Sequence, residues 1–144
     1  MIIIGCDHGA FELKQAVCAY FDENGIEYFD AGIHVNESVD YPDIAFPIAE
    51  KVAAGEYEKG MIFCGTGIGV SICANKVNGI RAGLCTDTFT AEYCRLHNDA
   101  NILCIGGRVT PVETAIEIVK TFLATEFEGG RHERRVAKIM DYAN

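Results

Sequence analysis

Three short stretches of this chain are apolar without alternation: Ile2-Ile3-Ile4-Gly5-Cys6, Met61-Ile62-Phe63-Cys64 and Ile102-Leu103-Cys104-Ile105. A strand with one wet face alternates apolar and polar residues, so continuous runs fit strands covered on both faces, as in parallel sheets. Residues 26–31 and 80–85 read as two further strands. Between the strands the spacing turns helical. Residues 10–24 place Phe11, Val17, Cys18 and Phe21 at apolar positions, with Gly25 as a C-cap. Residues 43–54 form a second helix ending at Gly55, and another runs from the glycine cluster at 65–69 to about Lys76. Asp87 is placed to cap a helix through Leu96. Thr110-Pro111-Val112-Glu113 has capping-box residues with proline at the first helical position, opening a helix to about Thr125. Glu128-Gly129-Gly130 breaks the chain before a last helix over 131–142.

Strands and helices alternate five times with short connections, and 144 residues suit one domain. The expected fold is α/β: a three-layer α/β/α sandwich on a Rossmann-like five-stranded parallel sheet, with residues 1–144 as a single domain. Ligands of such sheets bind beyond the carboxyl ends of the strands, where strand order reverses. That rule selects Asp7-His8-Gly9, the 64–69 loop, Asp87 and Gly106-Gly107-Arg108, and His97-Asn98-Asp99 if its helix returns to the same rim.

The net charge of −9, from 12 basic and 21 acidic residues, argues against nucleic acid and anionic membranes as partners. No apolar run has the length of a membrane span, and the N-terminus lacks the basic segment of a signal peptide. The seven cysteines (6, 18, 64, 73, 85, 94, 104) contain no C-x-x-C pair, so a disulfide framework and a zinc ribbon both fail. The expected location is a reducing cytoplasm. Four of the twelve basic residues, Arg131, Arg134, Arg135 and Lys138, fall within eight positions, with His132 among them. In an acidic chain this patch suits a small anionic ligand, and as readily a solvated helix face.

Cys64-Gly65-Thr66-Gly67-Ile68-Gly69 carries the sharpest chemistry. Three glycines between a buried strand and a helix form a backbone cradle whose N–H groups can approach an oxyanion closely. A dinucleotide site competes, since Asp87 lies about 20 residues on, but Val70 stands where G-x-G-x-x-G needs glycine. The P-loop pattern is absent as well, with no Lys-Ser or Lys-Thr following. A thiol at the mouth of such a loop has its thiolate favoured, which sets Cys64 apart from the other six. Asp7 and His8, directly after the first strand, can meet a substrate hydroxyl or phosphate, and Asp7 can equally cap the following helix. His97-Asn98-Asp99 fits a polar site or a helix C-terminus. His34 lies in a loop without a companion and is assigned nothing.

Taken in order, Asp7-His8-Gly9, Asp40-Tyr41-Pro42, Cys64-Gly65-Thr66-Gly67-Ile68-Gly69, Ser71, Ala74-Asn75-Lys76, Gly79-Ile80-Arg81-Ala82, His97-Asn98-Asp99-Ala100-Asn101 and Glu128-Gly129-Gly130-Arg131-His132 form a set. Over essentially the whole chain this set resembles the B-type ribose-5-phosphate isomerases, a family shared with galactose and allose 6-phosphate isomerases. The resemblance implies aldose–ketose isomerisation through a cis-enediolate, with no cofactor and no metal. It makes Cys64 the base that moves a proton between C2 and C1, with Thr66 beside it. The amides of Gly65, Thr66, Gly67, Ile68 and Gly69 become the anion hole, and His97 the acid–base group that opens the furanose ring. Asp7 and Asn98 match sugar-hydroxyl contacts, Asp7 also carrying a proton between O1 and O2. His8, Arg131 and Arg135 match phosphate ligands, with His132 and Arg108 nearby. The implied partners are a small phosphorylated sugar and further copies of the chain. In a homodimer or dimer of dimers the last helix reaches into the neighbour's site. Two departures, Gly9 and Cys73 where the family favours alanine, touch no assigned role. Some family members carry a glutamate base, so Cys64 places this chain in the cysteine subgroup. Isomerisation of the 6-phosphates, or a non-catalytic nucleotide-binding α/β module, are the alternatives.

Overall fold

The computed structural model describes residues 1–142; the last two residues of the expected 1–144 domain lie outside them. The chain runs β1 (Ile2–Cys6), a 3-10 turn (His8–Ala10), α1 (Phe11–Glu23), β2 (Tyr28–Asp30), α2 (Tyr41–Ala53) and β3 (Lys59–Cys64). It continues with α3 (Ile68–Asn75), β4 (Ala82–Leu84), α4 (Thr88–Leu96), β5 (Ile102–Gly106), α5 (Val112–Ala124) and α6 (Arg131–Asp141). The five strands form one sheet in the order β2-β1-β3-β5-β4, every pair parallel.

Alternation within the apolar runs sorts their side chains onto two faces. Ile4, Met61, Phe63, Leu103 and Ile105 pack with Leu13, Val17 and Phe21 of α1, Ala91 of α4, and Ile118, Val119 and Phe122 of α5. Ile3, Ile62, Ile102 and Cys104 pack on the other side with Ile48 and Ala49 of α2 and Val70 and Ala74 of α3. The result is the expected three-layer sandwich, with β1, β3 and β5 covered on both faces. Each fully buried Ile, Leu or Phe contributes about 1.5–3 kcal/mol. Helix α6 lies outside both layers, and His132 is its only buried residue.

Local signals account for most element ends. Gly25 takes the left-handed conformation (φ +65°) just after α1, and Asp87 caps α4 by accepting from Thr90 N–H at 2.7 Å. The capping box at Thr110 does not form. Thr110 N–H donates to Gly106 C=O at 3.1 Å, which turns the residue inward, and its Oγ1 is buried without a hydrogen-bond partner. Pro111, expected at the first helical position, is instead the N-cap of α5. None of the described helices is long and apolar enough to cross a membrane.

Candidate active site

The chain leaves β1 to form β2 on one side, then crosses to β3 on the other, so the strand order reverses between β1 and β3. Asp7 directly follows β1, and Cys64 is the last residue of β3, so both stand at the switch point. Three loops mesh there through backbone contacts. Asp7 N–H donates to Phe63 C=O (3.2 Å), Gly107 N–H to Cys64 C=O (2.8 Å) and Arg108 N–H to Gly65 C=O (2.9 Å). The approach is close enough that side chains are excluded. A Cβ on Gly9 would lie 2.8 Å from Gly65 N, and one on Gly106 2.5 Å from the carbonyl carbon of Thr66.

Cys64 is 4% exposed, and Gly67 N–H donates to its Sγ at 3.1 Å. Gly67 has φ +79°, the left-handed turn that swings its amide back toward the thiol. Thr66 Oγ1 accepts from Ile68 N–H (3.2 Å), and the exposed Thr66 and Ile68 flank the buried Gly67. Burial alone governs other thiols: it raises Cys6 and Cys18 to about 11, and Cys104 further.

Asp7 is buried, and its Oδ1 accepts from Gly9 N–H at 2.8 Å. It therefore caps the 3-10 turn with one oxygen and keeps Oδ2 for a ligand. His8 Nδ1 accepts from Val39 N–H (3.3 Å), which leaves Nε2 available. His8, Gly107 and the exposed Arg108 line a recess of about 250 Å3 beside the loop. The guanidinium of Arg108 lies over Gly65, where a Cβ would meet Nη1 at 3.2 Å. Tyr41, which the sequence marks only within Asp40-Tyr41-Pro42, covers Gly69 so closely that a Cβ there would touch its ring at 2.5 Å.

The second group of residues stands elsewhere. Helix α4 runs from the rim back along the sheet, and His97, its C-cap, lies with Asn98 before the start of β5. Asn101 Oδ1 accepts from Arg81 N–H (2.8 Å) just ahead of β4, and Asn101 C=O accepts from Gly60 N–H near the start of β3. His97-Asn98-Asp99 therefore sits at the amino edge of the strands, and its expected place at the carboxyl rim does not hold within one chain. The cause is geometric: a helix joining two parallel strands must return the chain to the edge where strands begin. Arg81 Nε donates to Asn98 and Asp99 carbonyls, and Arg95 to Asp99 Oδ1 and Ala100 C=O, which fixes this loop with Asp99 at φ +49°.

Helix α6 joins this edge. His132 is 3% exposed and stacks on His97 with ring centroids 4.1 Å apart, while Tyr93 packs its edge against His97. Burial, then the charges of His97 and Arg131, hold the His132 imidazole below its ordinary pKa. Arg131 and Arg135 are exposed on the same helix, so His132 lies beneath His97 and apart from the exposed arginines. A larger concavity of about 530 Å3 opens beside Arg81, Asn98 and Ile139, away from Cys64. Sequence reasoning missed Glu128, whose carboxylate faces both histidines at 3.9 and 4.0 Å. The Glu-x-x-x-His spacing was the available signal.

A parallel α/β sheet with a thiol, a carboxylate and an amide cradle at its switch point is the architecture of an aldose–ketose isomerase. The chain belongs to the Ribose/Galactose Isomerase family, which it matches over residues 2–139. Ribose-5-phosphate isomerase B of Escherichia coli (strain K12) is 46% identical over 138 residues, covering 96% of this chain and 93% of that protein. The solved ribose-5-phosphate isomerase B of Clostridium thermocellum superposes with a TM-score of 0.95 at 51% identity, over 97% of this chain and 95% of that one. The Mycoplasma genitalium ribose-5-phosphate isomerase B, solved with bound ribulose-5-phosphate, gives 0.94 at 39% identity, over 98% and 94%.

Proposed function

We propose that this chain interconverts ribose 5-phosphate and ribulose 5-phosphate through a cis-enediolate, using active sites shared between two copies. The observation that carries the reading is the Gly67 N–H on Cys64 Sγ at 3.1 Å, which joins base and amide cradle in one turn.

A proton alpha to a carbonyl is weakly acidic, so a base alone is insufficient and the developing oxyanion must be stabilised as well. Cys64 as thiolate takes the C2 proton of the open-chain aldose. The C2–H electron pair becomes the C1–C2 double bond, and the charge settles on O1 before the amides of residues 65–69 and the Thr66 hydroxyl. Asp7, through its uncommitted Oδ2, moves a proton from O2 to O1. The Cys64 thiol then protonates C1 and leaves the carbonyl at C2. Each oxyanion donor of this kind is worth about 2.7–4 kcal/mol in the transition state. No step calls on a metal or cofactor.

Ring opening requires a second acid–base group, His97, with Asn98 on the sugar hydroxyls. The β5 strand alone separates the two edges by about 13 Å at 3.3 Å per residue, so His97 and Cys64 of one chain do not meet on one pentose. Two copies arranged so that the amino edge of one faces the carboxyl rim of the other bring them together. The same arrangement lets Arg131 and Arg135 of one copy join His8 and Arg108 of the other around the phosphate, a dianion suited to guanidinium forks. His132 takes part by holding the His97 ring. The smallest competent unit is then a homodimer, or a dimer of dimers, in the cytoplasm.

The test is an isomerase assay on ribose 5-phosphate, allose 6-phosphate and galactose 6-phosphate without added metal. Ketose formation fastest with ribose 5-phosphate supports the reading; preference for a 6-phosphate would assign the chain to the other branch of its family.

A further inference from the structure

We propose that His97, Glu128 and His132 form a binding site for a divalent first-row transition ion of the Zn2+ class, and that its occupancy withdraws His97 from catalysis. The one potential ligand atom of each residue lies within 4.8 Å of the others. Glu128 spreads its carboxylate across both imidazoles, Oε2 at 3.9 Å from His97 Nε2 and Oε1 at 4.0 Å from His132 Nε2. These separations are too long for hydrogen bonds, which need about 2.7–3.2 Å. They lie close to what three ligands each about 2.0–2.2 Å from one ion require.

A second observation is independent of the clustering. His132 Nε2 is buried and has no hydrogen-bond partner, although nearly every buried polar atom in a folded protein has one. It is aimed at the Glu128 carboxylate, so the gap between them is where a partner belongs. Two imidazoles and one carboxylate select Zn2+, Co2+ or Fe2+ over Mg2+ and Ca2+, which favour all-oxygen sites. Three protein ligands leave a fourth position open, and the exposed side of His97 and Glu128 gives an ion its entry path. The position of Glu128 and His132 four residues apart across the Gly129-Gly130 break supplies two of the three ligands from one short segment.

Binding itself depends only on this geometry; the inhibition rests on the reading of His97 as the ring-opening group. The experiment is equilibrium dialysis of the metal-stripped full chain against Zn2+, with Co2+ as spectroscopic probe, in the parent and in Glu128→Gln and His132→Asn. Glu128 is exposed, so Glu128→Gln keeps the fold even if the buried His132→Asn does not. We expect about one ion per chain, at least about tenfold weaker binding in Glu128→Gln, and a Co2+ spectrum without thiolate-to-cobalt charge transfer. Turnover of ribose 5-phosphate should fall as the site fills and return with a chelator. Undiminished binding in Glu128→Gln, thiolate charge transfer, or no binding at all would overturn the site, the last leaving the gap to water. Stoichiometric binding with unaltered turnover would keep the site and remove His97 from ring opening.

Discussion

Gly67 N–H donates to Cys64 Sγ at 3.1 Å, across a turn that only a residue comfortable at φ +79° makes without strain. The thiol that takes the proton and the amides that hold the resulting charge thus belong to one rigid loop. The left-handed conformation of Gly67 therefore sets the distance between base and oxyanion hole.

Cys64→Ala removes the base and leaves the cradle. Turnover should fall by about 10²–10⁴-fold, the contribution of a positioned acid–base group. The loss of one small buried side chain costs about 1 kcal/mol of stability. Steady-state kinetics beside urea unfolding separates the two effects, and near-parental turnover would remove Cys64 from the mechanism.

Gly67→Ala attacks the cradle and leaves the thiol. A Cβ there would lie 2.9 Å from Gly106 N and the carbonyl carbon of Ile105, both backbone atoms that cannot rotate away. The φ of +79° adds about 1–2 kcal/mol of strain for any residue with a Cβ. We expect kcat to drop by about 10²-fold or more as an oxyanion donor is displaced. A variant of unchanged kcat would show that these amides do not face the reacting oxygen.

His97→Asn and Cys64→Ala are each inactive alone on this scheme, yet a mixture should recover activity. With edge and rim supplied by different copies, a heterodimer has one site with both groups intact and one with neither. Random re-assortment makes half the dimers hetero, so about a quarter of parental activity should return. Subunit exchange shown by mass spectrometry, with no recovered turnover, would defeat the shared site.

Lys14 is 2% exposed and donates to both Asp30 carboxylate oxygens (2.7 and 2.8 Å) and to Ile33 C=O (2.6 Å). Lys14→Ala strands these acceptors. Asp30 is 31% exposed, so the cost sits at the low end of the range for a broken buried pair, roughly 3 kcal/mol. Urea denaturation measures it, and a change below about 1 kcal/mol would mean that water replaces the ammonium.

The sequence by itself determined the layers and the chemical character of the rim. Continuous apolar runs with alternating faces dictate strands buried on both sides, and helical spacing between them dictates parallel connections. Cys64 ahead of three glycines is a local pattern, and its role at a strand end follows from the few residues around it. Asp7 was legible for the same reason, although its double service as cap and ligand was not. Periodicity says which face of an element is buried and never which element it meets. That is why the insertion of β5 between β3 and β4 was decided only by the tertiary structure, as was the failure of Thr110 to cap α5. The location of His97 also belongs to the tertiary structure, because the direction in which α4 runs sends it to the edge opposite Cys64. The convergence of His97, Glu128 and His132 arises the same way. His97 and Glu128 stand about thirty residues apart in the chain, and only the return of α5 along the sheet brings their segments together.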